Sequence, residues 1–328
     1  MNLRYAVIGV VGLCTAVLVL RLAAGTWGTA TARKAADREL IVFHAGSLSV
    51  PFAGLSALFE RRNPNVKVKA EAAGSRDCAR KISELRRACD LFGSADYKVV
   101  ENLLMPEFAD FNIRFATNEM AIAYTDASHG AEEIGPGNWH EVLLRPEVAF
   151  GRADPESDPC GYRTVMLFQL AERHYGEPGL AARLEEKHGR RFIRPKETDL
   201  LALLEAGEID YLPIYRSVAR QHGLRAVRLP PEVNLGSAEL GHLYEAARVQ
   251  VTGRGPGQFI TRVGAPIVYS VTIPKDAPSR DLAEAYLALL LSPDGQRIMQ
   301  ENGQTPIVPP LTSEPERVPE SLKAFFGG

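Results

Sequence analysis

The sequence predicts a two-lobed α/β protein, two α/β domains joined by a two-crossing hinge. Three observations predict it. The first is Leu40-Ile41-Val42-Phe43-His44-Ala45-Gly46-Ser47-Leu48-Ser49, an apolar strand that ends in Gly-Ser and opens a helix; the same grammar recurs downstream. The second is a pair of extended stretches, Phe115 to Tyr124 and Ala265 to Ile273, about 150 residues apart and each too long for one small sheet. They read as two crossings between lobes. The third is bulk: 328 residues, 45% hydrophobic and 24% charged, enough chain for two cores. Lobe one is then residues 38–117 plus 266–328, and lobe two is residues 118–265. A chain that returns to its first domain leaves a cleft with a hinge, the layout of a closing clamp.

The N-terminus stands outside that fold. A basic start at Arg4 precedes an apolar run from Tyr5 to Leu20, interrupted by Arg21. Sixteen residues fall short of the ~20 that span a bilayer. Residues 1–32 therefore read as a secretory signal peptide or an uncleaved membrane anchor, with Ala30-Thr31-Ala32 fitting a small-x-small cleavage site. The chain is expected to be exported to the periplasm or another extracytoplasmic space. Losing Arg4 and Arg21 and no acid takes the net charge from −2 to −4. Nothing here supplies the basic patch that nucleic acid requires. Three cysteines remain after the leader, Cys78, Cys89 and Cys160, so at most one disulfide forms between them, and the sequence leaves the pair open.

In order, Val50 to Arg61 carries helical spacing at Leu55, Leu58 and Phe59, and Asn63-Pro64 ends it. Val66 to Ala70 alternates as a half-buried strand. Ala73-Gly74-Ser75-Arg76-Asp77 is the second strand–Gly-Ser–helix junction, and its helix is basic on the exposed side through Arg76, Arg80, Lys81, Arg86 and Arg87. Asp90 to Asp96 is a third short strand with its turn. Asn138-Trp139 opens a helix and Val148 to Gly151 is a strand. Asp158-Pro159 gives an N-cap followed by proline at the first helical position, with the helix running to about His174. Arg194 to Asp199 precedes an amphipathic helix, and Gly207 leads into a strand that ends at Tyr215. Asp281 to Leu291 is a helix, Ser292 to Gly295 a break, and Gln296 to Glu301 another helix.

Three helix starts thus follow strand ends, led by Ser47, Ser75 and Asp158. Ser47 and Ser75 fit plain N-caps; they also fit contacts to an anion, because helix N-termini and hydroxyls neutralise a dehydrated oxyanion without a counter-charge. Tyr215 adds a phenolic hydroxyl. Asp158 and Glu197 sharpen the reading. Two carboxylates in one small desolvated site repel sulfate or phosphate, but they suit a high-valent oxyanion centre that expands its coordination with hard oxygen ligands.

At this point the residues meet a known family. The chain resembles the substrate-binding components of molybdate/tungstate ABC transporters, in particular the WtpA-like branch. The matching stretches are Phe43 to Leu48, Gly74-Ser75-Arg76, Ser94 to Tyr97, Ala116 to Glu119, Asp158 to Arg163, Arg194 to Glu197, Asp210 to Ala219, Pro231 to Leu235 and Ile267 to Pro274, in the family's order over nearly the whole chain after the leader. The resemblance implies the type II periplasmic-binding-protein fold and a monomer that hands a small oxyanion, tungstate or molybdate, to a membrane permease, with no cofactor and no catalysis. By the same resemblance Gly46, Ser47 and Ser75 hold the ligand from one side. The Asp158-Pro159-Cys160 segment supplies a carboxylate and backbone N–H groups, Glu197 the second carboxylate completing six-coordination, and Tyr215 a hydrogen-bonding lid. The Asp158-to-Glu197 segment is shorter than in archaeal members, so Asp199 is the alternative to Glu197.

Two other readings stand beside this one: a receptor of the same fold for sulfate or phosphate, and an exported hydrolase built on Cys160 or on Asp154 and Asp158. A thiol at a helix N-terminus is a nucleophile candidate, but no His–Asp pair is spaced with Cys160, and a packed or disulfide-bonded cysteine fits better. His44, His222 and His242 show no metal-ligand spacing. Asp154 and Glu156 lack the glycine and terminal glutamate of a calcium loop.

Overall fold

The computed structural model describes residues 38–255 and 257–327. The leader reading of residues 1–32 falls outside them. Among the described residues no helix is long and apolar enough to cross a membrane.

The chain opens with β1 (Arg38–Ala45), a one-turn 3-10 segment at Gly46–Leu48 and α1 (Ser49–Arg62). Next come β2 (Val66–Ala73), α2 (Ser75–Ser83), β3 (Leu91–Ser94), α3 (Tyr97–Leu103) and β4 (Ile113–Asn118). One residue later the chain enters β5 (Met120–Tyr124), followed by α4 (Trp139–Leu144), β6 (Arg152–Ala153), α5 (Pro159–Tyr175), α6 (Leu180–Glu186) and β7 (Ile193–Arg194). A 3-10 turn at Glu197–Leu200 leads to α7 (Leu201–Glu205), β8 (Tyr211–Tyr215), α8 (Arg216–Gln221) and β9 (Arg225–Arg228). Then follow α9 (Gly241–Tyr244), the hairpin of β10 (Arg248–Thr252) and β11 (Phe259–Val263), β12 (Ile267–Thr272), α10 (Arg280–Leu291), α11 (Pro293–Glu301) and β13 (Thr305–Leu311).

Two lobes result. The first is built on a six-stranded sheet of order β13-β4-β12-β3-β1-β2, the second on a three-stranded sheet of order β8-β5-β9. β1 lies parallel to β2 and β3, while β12 runs antiparallel to β3 and β4. A strand with neighbours on both edges and helices on both faces is buried on both sides, hence the unbroken Leu40-Ile41-Val42-Phe43 run. β2 is an edge, and Lys67, Lys69 and Glu71 on it keep that edge solvated. The chain leaves the large sheet at Asn118, pairs Met120 with Tyr215 in the small one, and is back in the large sheet at Ile267, opposite Asn118.

Three local expectations are corrected, and one strand is added. Val148 to Gly151 forms a single bridge, Phe150 to Tyr211, rather than a strand. Two of its backbone donors go to side chains: the Ala149 N–H to the Asp210 carboxylate (2.8 Å) and the Phe150 N–H to the His188 ring (3.3 Å). The break at Ser292 to Gly295 shrinks to Ser292, which caps α11 from the Gly295 N–H while Pro293 takes the first helical position. β13 was hidden by its three prolines; it is tolerated as an edge strand, and its pairing with β4 slips between Pro306 and Leu311. Arg76, expected on the solvated side of its helix, is fully buried.

Candidate functional site

The two Gly-Ser corners do not use their serines as caps. Gly74 is the N-cap of α2, Ala45 precedes the 3-10 turn that holds Ser47, and neither serine hydroxyl bonds its own helix start. Both serines are fully buried, and both hydroxyls accept from a donor behind them. Ser47 Oγ accepts from the Tyr269 hydroxyl at 2.9 Å, which itself accepts from the Asn118 amide at 3.0 Å. Ser75 Oγ accepts from the Ala95 N–H at 3.0 Å. Tyr215 repeats the pattern: its hydroxyl accepts from the Arg163 guanidinium at 2.8 Å. A hydroxyl has one proton and two lone pairs. Each of these three accepts one bond from the protein and keeps its proton free to donate. Burial pushes the Tyr215 and Tyr269 phenols well above their ordinary range, so both stay protonated donors.

Asp158 does cap its helix. Its Oδ1 accepts from the Cys160 N–H at 2.8 Å. Its Oδ2 accepts from the Glu197 N–H at 3.1 Å, tying the start of α5 to the turn that carries Glu197. Pro159 has no N–H, and the Gly161 N–H donates to the Asp158 carbonyl at 3.0 Å. The donors of this helix start are therefore committed internally, and the corner presents a carboxylate rather than free N–H groups.

Glu197 is the anomaly. It is buried to 1% exposure beside Gly46, where an added Cβ would meet Glu197 Oε2 at 2.8 Å. Both its carboxyl oxygens are buried and neither makes a hydrogen bond. A polar group taken from water without a partner costs several kcal/mol, so native structures rarely keep one. Burial, and then the Asp158 carboxylate, push the Glu197 carboxyl well above its usual 4.5. Asp199, the alternative acid, is half-exposed and paired with Lys196 at 3.0 Å.

The sign of the Glu197 shift gives a first prediction. With its folded value raised, this carboxyl stabilises the closed, ligand-free protein fully below about 4.5, and that contribution is lost as pH rises through the folded value. Glu197→Gln is neutral at every pH. Between pH 4.5 and pH 8, wild type is expected to lose more melting temperature than Glu197→Gln, read by differential scanning calorimetry. Parallel curves would contradict a buried, partnerless carboxyl.

The thiol is not a nucleophile. Cys160 is fully buried, its Sγ faces the Pro213 carbonyl at 3.8 Å, and burial followed by Asp158 and Glu197 pushes it well above the ordinary thiol range. Cys78 and Cys89 are buried and unbridged too. Asp154 accepts from the Glu156 N–H in its own loop and pairs with Arg190.

The residues missed by sequence reasoning stand behind those it singled out. Tyr269 and Asn118 back Ser47, and Arg163 backs Tyr215 while also donating to the Ala95 carbonyl at 2.7 Å. Asp96 completes the network by accepting from the Tyr162 hydroxyl. Burial opposes its ionisation, but Arg163 and Arg262 outweigh burial and hold it below the usual carboxylate value. The available signal was an arginine inside the apolar run of α5 and a tyrosine in mid-strand, both out of place in a plain core.

A family model for bacterial extracellular solute-binding proteins matches residues 40–305. The chain belongs to that family. This solute-binding protein is 48% identical to a solute-binding protein of Petrotoga mobilis, over 88% of its own length and 90% of the relative's. It is 40% identical to the molybdate/tungstate-binding protein WtpA of Thermococcus kodakarensis, over 95% of each chain. Among solved structures, the periplasmic molybdate-binding protein of Azotobacter vinelandii superposes with a TM-score of 0.58 at 16% identity, over 81% of this chain and 98% of that one. At that identity the likeness speaks for the fold, which is the two-lobed periplasmic-binding-protein fold. The resemblance read from the motifs therefore stands, and the family's extracellular setting accords with the exported character of the chain.

Proposed function

We propose that this protein is a monomeric extracytoplasmic receptor that captures tungstate or molybdate between its lobes and delivers it to an ABC permease without altering it. Lobe one is residues 38–117 and 266–328, lobe two is residues 118–265, and the lobes close about the two crossings. Gly46, Ser47, Ser75 and Tyr215 line the oxyanion's side of the cleft, with the three hydroxyls as donors. Asp158 and Glu197 give oxygen ligands to the metal centre, and Pro159 and Cys160 form the wall that carries Asp158.

One observation carries this reading: the buried Glu197 carboxyl with two unpartnered oxygens, next to a second carboxylate. Against a sulfate or phosphate dianion such a pair is repulsive. Against a high-valent metal centre open to two more oxygens it is a ligand set, and binding replaces the proton that burial otherwise keeps on Glu197. The WtpA relative at 40% identity, named for molybdate and tungstate, supports the same choice. The buried Cys160 supports a receptor over a hydrolase.

Calorimetric titration with tungstate, molybdate and sulfate tests it. Saturation by one tungstate or one molybdate ion per chain, with no heat from sulfate, is the expected result. Sulfate binding as tight as tungstate binding would refute the metal-centred site.

A further inference from the structure

A second polar cluster lies beside the candidate site and shares no residue with it. Arg76 and Arg80 project from α2 of the first lobe; Glu156 and Thr252 belong to the second. Arg76 Nε donates to the Glu156 carbonyl at 2.8 Å and its Nη2 to the Thr252 carbonyl at 2.6 Å. Arg80 Nη1 donates to the same Glu156 carbonyl at 3.0 Å, and its Nη2 to the Thr252 hydroxyl. The Glu156 carboxylate accepts from the Thr252 N–H at 3.0 Å and lies 3.5 Å from Arg76 Nη2. On either side of this cluster the Arg76 and Asp77 N–H groups donate to the Ser157 carbonyl at 3.1 and 3.4 Å.

We infer that these four side chains form a closure clasp, with Arg76 as the positioning residue that sets how long a bound ligand stays. Every hydrogen-bond acceptor of the Arg76 guanidinium lies on the opposite lobe. It is fully buried, yet its own lobe gives it no carboxylate. These bonds exist only in the closed arrangement, where the opposite lobe's carbonyls offset the desolvation of the charge, and they contribute nothing to folding of the first lobe alone. Arg80, its like-charged neighbour, adds repulsion that the second lobe's carbonyls and Glu156 relieve on closing. Arg80 also keeps partners on its own lobe, Asp77 and Glu84, which makes it the lesser member. The clasp further fixes Ser157, and through it the position of Asp158.

A contact made only on closing acts on release rather than on encounter. Arg76→Met is therefore expected to raise the dissociation rate of radiolabelled tungstate, chased with unlabelled tungstate, by about 30-fold or more while leaving the association rate within about 3-fold. Spin labels placed on the two lobes, read by pulsed EPR with and without tungstate, are expected to show the closed distance depleted in the variant. Thr252→Val, which removes one acceptor and keeps shape, is expected to fall between the two. Dissociation rates and distance distributions that match wild type in Arg76→Met would overturn the clasp. If Arg76→Met does not fold, Arg80→Met decides by the same two readouts. The dissociation measurement rests on the ligand proposed above, whereas the ligand-free distances do not. Wild type that ignores tungstate, with a variant whose ligand-free distances still shift, would sink the ligand and keep the clasp.

Discussion

Glu197→Ala is expected to weaken tungstate binding by about 100-fold or more, the scale of losing a direct ligand, where even outer-shell partners cost 10- to 100-fold. The same change is expected to leave the ligand-free protein at least as stable at neutral pH. The carboxyl it removes is buried with no N–H or hydroxyl donor to either oxygen, so its deletion ends a desolvation penalty. That combination, lost affinity with retained or raised melting temperature, separates a ligand from a structural acid. Asp158→Ala is the contrast. It deletes two accepted N–H bonds, one of them the helix cap, worth about 1 kcal/mol by itself, so it is expected to lower both affinity and melting temperature. Calorimetric titration and thermal melting of the pair read the difference. Unchanged tungstate affinity in Glu197→Ala would remove this residue from the site.

Gly74→Ala is expected to be as damaging to binding while leaving folding intact. Gly74 sits at φ −57° and ψ 140°, a region open to any L residue, so alanine suits the backbone of the first lobe. The obstacle is across the cleft: a Cβ there would lie 2.2 Å from the Ser157 carbonyl oxygen and 2.7 Å from its carbon. Backbone atoms cannot rotate away as a flexible side chain can. The variant should fold, hold its melting temperature, and fail to close. Apparent affinity scales with the population of the binding-competent state, so tungstate binding should drop by about 100-fold or more. Small-angle scattering of the tungstate-treated variant should show a larger radius of gyration than tungstate-treated wild type. Wild-type affinity in Gly74→Ala would mean that the closed contact between Gly74 and Ser157 is not part of the bound state.

How much of this was legible beforehand depends on how local each feature is. The strand–Gly-Ser–helix corners at Ser47 and Ser75 are written in ten consecutive residues, and the Asp158-Pro159 start in two. That Asp158 and Glu197 lie together was expected from their chemistry, and the Glu197 N–H bond to Asp158 places them side by side. Of the two readings of the serines, the plain N-cap is the one the structure removes. Next to a helix start a serine looks like a cap, and only the fold shows that Tyr269 and the Ala95 N–H take the acceptor side of each hydroxyl. Tyr269 is 222 residues from Ser47, and no spacing rule reaches that far. Arg76 read as one more surface cation of a basic helix for the same reason: its partners, Glu156 and Thr252, belong to the other lobe. β13 stayed invisible because its prolines are tolerated only at a sheet edge, and the edge is a property of the assembled sheet.

The central claim is that two carboxylates ligate the metal of a bound oxyanion. X-ray absorption at the tungsten L3 edge of the tungstate-saturated protein tests it most directly. An expanded, six-coordinate oxygen shell is expected in wild type, with a reduced shell in Glu197→Ala. A tetrahedral, four-coordinate tungstate in the wild-type protein would contradict it.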